Sequence, residues 1–82
     1  MISVEDALRL ASRLLVDGGI DAPRHEARIL LGHVTGKSRE ALLVDHQHDV
    51  GAQAVDKLIN LARRRAKHEP MAYLIGEREF WG

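Results

Sequence analysis

Val4-Glu5-Asp6-Ala7-Leu8-Arg9-Leu10-Ala11-Ser12-Arg13-Leu14-Leu15-Val16 decides the fold class. Val4, Ala7, Leu8, Ala11, Leu14 and Leu15 recur at three- and four-residue steps, which gathers them into one stripe on a helix and would scatter them over both faces of a strand. Ser3 stands where an N-cap belongs, with Asp6 three residues on and Ile2 placed to pack back on the first turn. Gly18-Gly19 supplies the left-handed turn that ends such a helix.

The same period continues along the chain. A second helix begins near Asp21, with Pro23 in its first turn, where a missing N–H costs little. Its stripe is Ala27, Leu30, Leu31 and Val34, with Ile29 beside it and Gly36 as the stop. A short third helix starts at Ser38 and carries Ala41, Leu42 and Val44. The polar residues 45–49 form a loop. A fourth helix runs from about Gly51 to His68, with Val55, Leu58, Ile59, Ala62 and Ala66 turned inward, until Glu69-Pro70 breaks it. Pro70 opens a fifth helix over residues 71–75, which Gly76 closes. No alternation of strand length appears before Glu77, and residues 77–81 read as extended. The expectation is an all-α fold: a small bundle of about five helices over residues 1–76 with an aliphatic core, followed by an extended C-terminal tail.

The 82 residues make one small domain, in which 45% apolar content suffices for a core, and with 29% charged content the chain does not have a disordered composition. Without cysteine there is no disulfide framework and no thiolate metal site, which is compatible with a reducing cytosol; a cytoplasmic location is the expectation. The apolar runs are too short to span a membrane, so no membrane partner is expected. The start lacks the basic-then-apolar order of a signal peptide.

Candidate site residues are sparse. His25 and His33 are eight apart, so they form no i, i+4 metal pair, and His46 and His48 lack a third ligand at a fixed spacing. His68 falls at a helix C-terminus, where a protonated imidazole suits the dipole. Ser3, Ser12 and Ser38 read as caps or surface, and no nucleophile–base–acid set can be assigned. Gly32 and Gly36 read as one packing site and one C-cap. Acids and bases balance at twelve each, yet residues 57–67 hold Lys57, Arg63, Arg64, Arg65 and Lys67 with only basic charges among the ionised groups. Successive helical residues lie about 100° apart, so Arg63, Arg64 and Arg65 form a collar rather than a face. The helix dipole alone favours that placement; the functional alternative is a contact with an acidic or RNA-bound partner, for which Arg63, Arg64, Arg65 and Lys67 are the candidates.

The three aromatics, Tyr73, Phe80 and Trp81, all fall in the last fourteen residues. A free-standing domain centres its aromatics, so this end reads as a domain junction, with Tyr73, Arg78, Phe80 and Trp81 as its residues. Tyr73, inside the fifth helix, is the aromatic expected to pack on the bundle, whereas Phe80 and Trp81 await another domain.

Two stretches carry a resemblance. Glu26-Ala27-Arg28-Ile29-Leu30-Leu31-Gly32-His33-Val34-Thr35-Gly36 resembles the second-helix signature of the HemK/PrmC family. Residues 63–82, above all Glu69-Pro70-x-Ala72-Tyr73-Leu74-x-Gly76-x-x-Glu79-Phe80-Trp81-Gly82, are similar to the segment joining this family's N-terminal domain to its methyltransferase domain. Gly51 departs from the Ser, Thr or Asp cap expected there. The resemblance implies an S-adenosylmethionine-dependent enzyme that methylates the glutamine side-chain amide of the Gly-Gly-Gln motif in class I peptide-chain release factors. It makes residues 1–76 the substrate-recognition domain and residues 77–82 the start of a linker to a methyltransferase domain. The family's Gly-rich cofactor loop and Asn-Pro-Pro-Tyr motif do not occur in these residues, so no catalytic, cofactor-binding or metal residue is assigned. The implied partners are a class I release factor and the methyltransferase domain of the same chain, with no direct nucleic-acid contact. The alternatives are a free-standing nucleic-acid-binding module using residues 57–67, against which stand zero net charge and the lack of interleaved aromatics, and a purely structural module.

Overall fold

The computed structural model describes residues 2–44, 47 and 49–76, with Arg39 described by its backbone alone. Among them are five helices: α1 (Val4–Asp17), α2 (Pro23–Thr35), α3 (Arg39–Val44), α4 (Ala52–Ala66) and α5 (Met71–Ile75). The fold is the small all-α bundle that the periodicity indicates. The extended reading of residues 77–81, and the junction residues Arg78, Phe80 and Trp81, lie outside the described residues.

α1, α2 and α4 pack on one another pairwise, α3 rests on α2, and α5 rests on α4. The core is aliphatic: Leu15, Leu30, Leu31 and Leu58 are fully enclosed, with Val4, Ala7, Ala11, Ala27 and Ala62 between them. Each enclosed leucine contributes about 1.5–3 kcal/mol, and the alanines let the helix axes approach. Ile2, Leu14, Ile29, Val34, Leu61 and Met71 pack at the margin. Side by side, α1 and α4 share both ends. Ser3 and Asp49 form a lone antiparallel bridge, and the Val50 N–H donates to the Ile2 carbonyl at 2.9 Å.

The helix ends follow their local chemistry. Ser3 and Ser38 are caps, their hydroxyls accepting from the N–H groups of Asp6 and Ala41 at 3.1 Å each. Gly51, at φ 84°, caps α4 without a side chain, and the Asp49 carboxylate accepts its N–H at 3.1 Å. At the end of α1, Gly19 takes φ 78° while its N–H donates to Val16 and that of Ile20 to Leu15, which places Ile20 in the core. At the end of α4 the same two-bond turn is made with His68 at φ 69°, where glycine is usual.

Those two turns meet. A Cβ on Gly18 would lie 2.6 Å from the Ala66 Cβ and 2.6 Å from its carbonyl oxygen, so only a hydrogen fits there. The His68 Nε2–H donates to the Gly18 carbonyl at 2.7 Å. The imidazole thus acts through a particular backbone oxygen at the C-cap of α1, in addition to standing at the C-terminus of α4. Gly32 also packs closely, its missing Cβ facing the Lys37 carbonyl at 3.1 Å, and Gly36 closes α2 in the left-handed conformation.

Three readings of individual side chains are corrected. Tyr73 does not pack on the bundle: it is 79% exposed. On a five-residue helix Leu74 and Ile75 take the inward positions, and the ring one step away turns out. Among the described side chains of α3 only Leu42 is buried, with Ala41 exposed and Val44 83% exposed, because a helix this short presents a single turn to α2. Ser12 is neither cap nor surface: its hydroxyl oxygen is enclosed without a hydrogen-bond partner among the described residues.

Leu58→Ala should cost about 2–5 kcal/mol in urea unfolding, as should Leu30→Ala. Gly18→Ala should destabilise more than Gly19→Ala, since the first must move the backbone of α4 and the second strains only its own φ. An unchanged midpoint for Gly18→Ala would contradict the backbone contact.

Candidate functional site

The last turn of α4 and its cap carry Arg63, Arg64, Arg65 and Lys67, and the structure sends them in different directions. Arg65 turns toward α2. Its Nε donates to Glu26 Oε1 at 2.6 Å and its Nη2 to Oε2 at 3.4 Å, while Nη1 donates to the Glu69 carbonyl at 2.9 Å. With side-chain exposures of 22% and 18%, Arg65 and Glu26 are more sheltered than an ordinary surface pair. Arg64 turns to the Glu69 side chain, donating from Nη2 at 2.9 Å and from Nε at 3.2 and 3.3 Å. That hydrogen bond holds the Glu69 carboxyl below the usual carboxylate range, and the charges of Arg64 and Lys67 act in the same sense. It also raises the Arg64 guanidinium.

Arg63 faces the opposite flank. It joins Ile59 of α4 and Leu10, Arg13, Leu14 and Asp17 of α1 around an open groove of about 330 Å³. The collar is therefore not one surface. Two of its guanidiniums hold carboxylates of this chain, and Arg63 is the one aimed at the groove. Of the junction residues, Tyr73 stands in solvent at the end of the bundle, and the rest lie outside the described residues.

Other polar features had no signal in the sequence. Arg24 Nη2 donates to both oxygens of Glu5 at 2.9 and 2.8 Å and ties the start of α2 to the first turn of α1. Nothing in the spacing of nineteen residues marks that pair, just as nothing marks Glu26 with Arg65. Adjoining depressions around Val34 lie between the end of α2 and α4, lined by His33, Lys37, Val50, Ala54, Lys57 and Leu61 among others. Among the described residues no three His, Asp or Glu side chains converge to hold a metal ion, and no helix is long and apolar enough to cross a membrane.

Comparison with known proteins locates the chain. The family model described as the PrmC N-terminal domain matches residues 6–76. The release factor glutamine methyltransferase of Vibrio cholerae is 40% identical over 80 residues, covering 98% of this chain and 28% of that protein. The protein of the same name from Yersinia pestis is 49% identical over 61 residues, 74% of this chain and 22% of its own length. A bifunctional methyltransferase of Rickettsia prowazekii is 40% identical over 79 residues, 96% of this chain and 15% of its own. The chain thus spans about a quarter or less of the curated relatives it matches. No solved structure matches it.

Arg65→Gln should cost about 1–3 kcal/mol, the range for a charge-assisted hydrogen-bond partner, whereas Arg63→Gln should stay within about 0.5 kcal/mol; urea unfolding compares them. Because the Glu69 carboxyl is lowered in the folded chain, its pair with Arg64 stabilises the fold above the ordinary carboxylate range. That contribution is lost as pH falls through the lowered folded-state value. A carbon-13 titration should find Glu69 below its usual range and Arg64→Gln should return it there; no difference between the two would remove the pair.

Proposed function

The chain belongs to the PrmC N-terminal domain family, and from that premise we propose that it is the substrate-positioning domain of a release factor glutamine methyltransferase. In this reading the bundle holds the release factor while a methyltransferase domain elsewhere in the protein binds S-adenosylmethionine and transfers the methyl group to a glutamine amide of the Gly-Gly-Gln motif. The observation that carries it is the match over residues 6–76 together with 40% identity across nearly the whole chain to an enzyme named for that activity. The architecture is compatible with the role. Methyl transfer to an amide needs the acceptor nitrogen held in line with the donor, so a rigid body that fixes the protein substrate lowers the entropic part of the barrier. A bundle whose helix ends are locked by Gly18, His68 and Arg65 is suited to be such a body.

The nucleic-acid alternative finds less support. Arg64 and Arg65 already hold Glu69 and Glu26, which leaves less of the collar for phosphates than its sequence implies.

In the full enzyme, deletion of residues 1–76 should raise KM for the release factor at least tenfold while the affinity for S-adenosylmethionine is unchanged. Equal loss of both would favour a purely structural cap. An unchanged KM would refute the positioning role.

A further inference from the structure

The two flanks of α4 differ in how their charges are met. Away from α1 each guanidinium of the collar has a carboxylate: Arg65 has Glu26 of α2, and Arg64 has Glu69 of the following turn. On the α1 flank, Arg13 and Arg63 stand on opposite walls of the groove, and neither makes an ion pair with a described residue. Between them the floor is aliphatic, built from Leu10, Leu14 and Ile59, with Leu10 43% exposed. An exposed leucine alone carries no message. An apolar trough between two side-by-side helices, each contributing one guanidinium that makes no ion pair with a described residue, has the composition of an interface anchor, where arginine forks onto a carboxylate beside buried aliphatic contact.

The described part of this chain leaves the trough open. Arg65 holds Glu26 of α2 and the Glu69 carbonyl in the lead into α5, and no described residue of that lead or of α5 lines the groove. Asp17 at one end of the groove gives it polarity. A complementary segment places carboxylates opposite Arg13 and Arg63 and a hydrogen-bond donor opposite Asp17.

We propose that the α1–α4 groove is the docking surface for an amphipathic helical segment of the release factor, one that lays aliphatic side chains on Leu10, Leu14 and Ile59 and carboxylates against Arg13 and Arg63. This rests on the functional reading above and adds to it the face and the chemistry of the contact. A third helix fits such a trough by ridge-into-groove packing, and the two guanidiniums set its register.

Amide shift mapping tests it, with the nitrogen-15-labelled 82-residue chain titrated with release factor. The largest shifts should fall at Leu10, Leu14, Ile59 and Arg63. The Arg13→Glu/Arg63→Glu double variant should bind at least tenfold more weakly with an unchanged thermal midpoint, and Arg13→Lys/Arg63→Lys should retain most of the affinity. Lys57→Glu, in the separate depressions around Val34, should bind as the unaltered chain does. If the double reversal lowers the midpoint, Leu10→Gln, at an exposed position, should give the same loss. Saturable binding that survives both the charge reversal and Leu10→Gln, or shifts confined to Val34 and Lys57, would overturn the groove and leave the functional reading standing. No saturable binding by the unaltered chain would overturn both.

Discussion

Backbone contact between the C-terminal ends of α1 and α4 is the constraint from which the other arrangements follow. Gly18 meets Ala66 so closely that no side chain fits between them. Two helices brought this near at one end, and joined at the other by the Ser3–Asp49 bridge, have little freedom to splay. Their alanines then become the natural contacts: Ala7 and Ala11 on one helix, Ala62 on the other, all fully buried. The close approach also explains a non-glycine residue in a left-handed conformation. His68 bears the cost of φ 69°, about 1–2 kcal/mol, where glycine would not. In exchange its ring reaches the Gly18 carbonyl, and Gly18 itself could not carry a side chain to make the link from the other side.

Arg65 extends that frame to the rest of the molecule. Its guanidinium holds a carboxylate on α2 and a carbonyl in the lead to α5 with different N–H groups. A lysine has the charge but not the planar fork to do both. The pair is partly sheltered, so its value lies between the near-zero of an exposed ion pair and the several kcal/mol lost when one half of a buried pair is removed. The two sequence stretches that resemble the HemK/PrmC family are far apart in the chain, yet Glu26 begins one and Arg65 lies in the other. What looks like two signatures in sequence is one tie in space.

Helix existence, order and core were legible because each rests on local rules: the stripe of α1, the Ser3 and Ser38 caps, the Gly36 stop and the Glu69-Pro70 break all appear where their chemistry placed them. The failures fall where periodicity has too few residues to act. α3 and α5 offer barely a turn each, so the inward positions of Leu42 and of Leu74 and Ile75 could not be told from the outward ones of Val44 and Tyr73. The site was less legible than the fold. A run of three arginines states only that charge is present. Which arginine is neutralised depends on where Glu26 and Glu69 arrive, and that is tertiary information.

The run of arginines illustrates how a helix divides one composition among several tasks. At about 100° per residue, three consecutive side chains must leave in three directions. One direction meets α2 and becomes a structural tie, one meets the following turn and becomes a local pair, and one meets the α1 flank, where it shares the groove with Asp17 but makes no ion pair with a described residue. Net charge zero conceals this, because it counts Glu26 and Glu69 against arginines they already hold and says nothing about those they do not. The physically relevant quantity for recognition is the charge left after internal pairing. By that measure the groove flank of α1 and α4 is basic, although the chain as a whole is neutral.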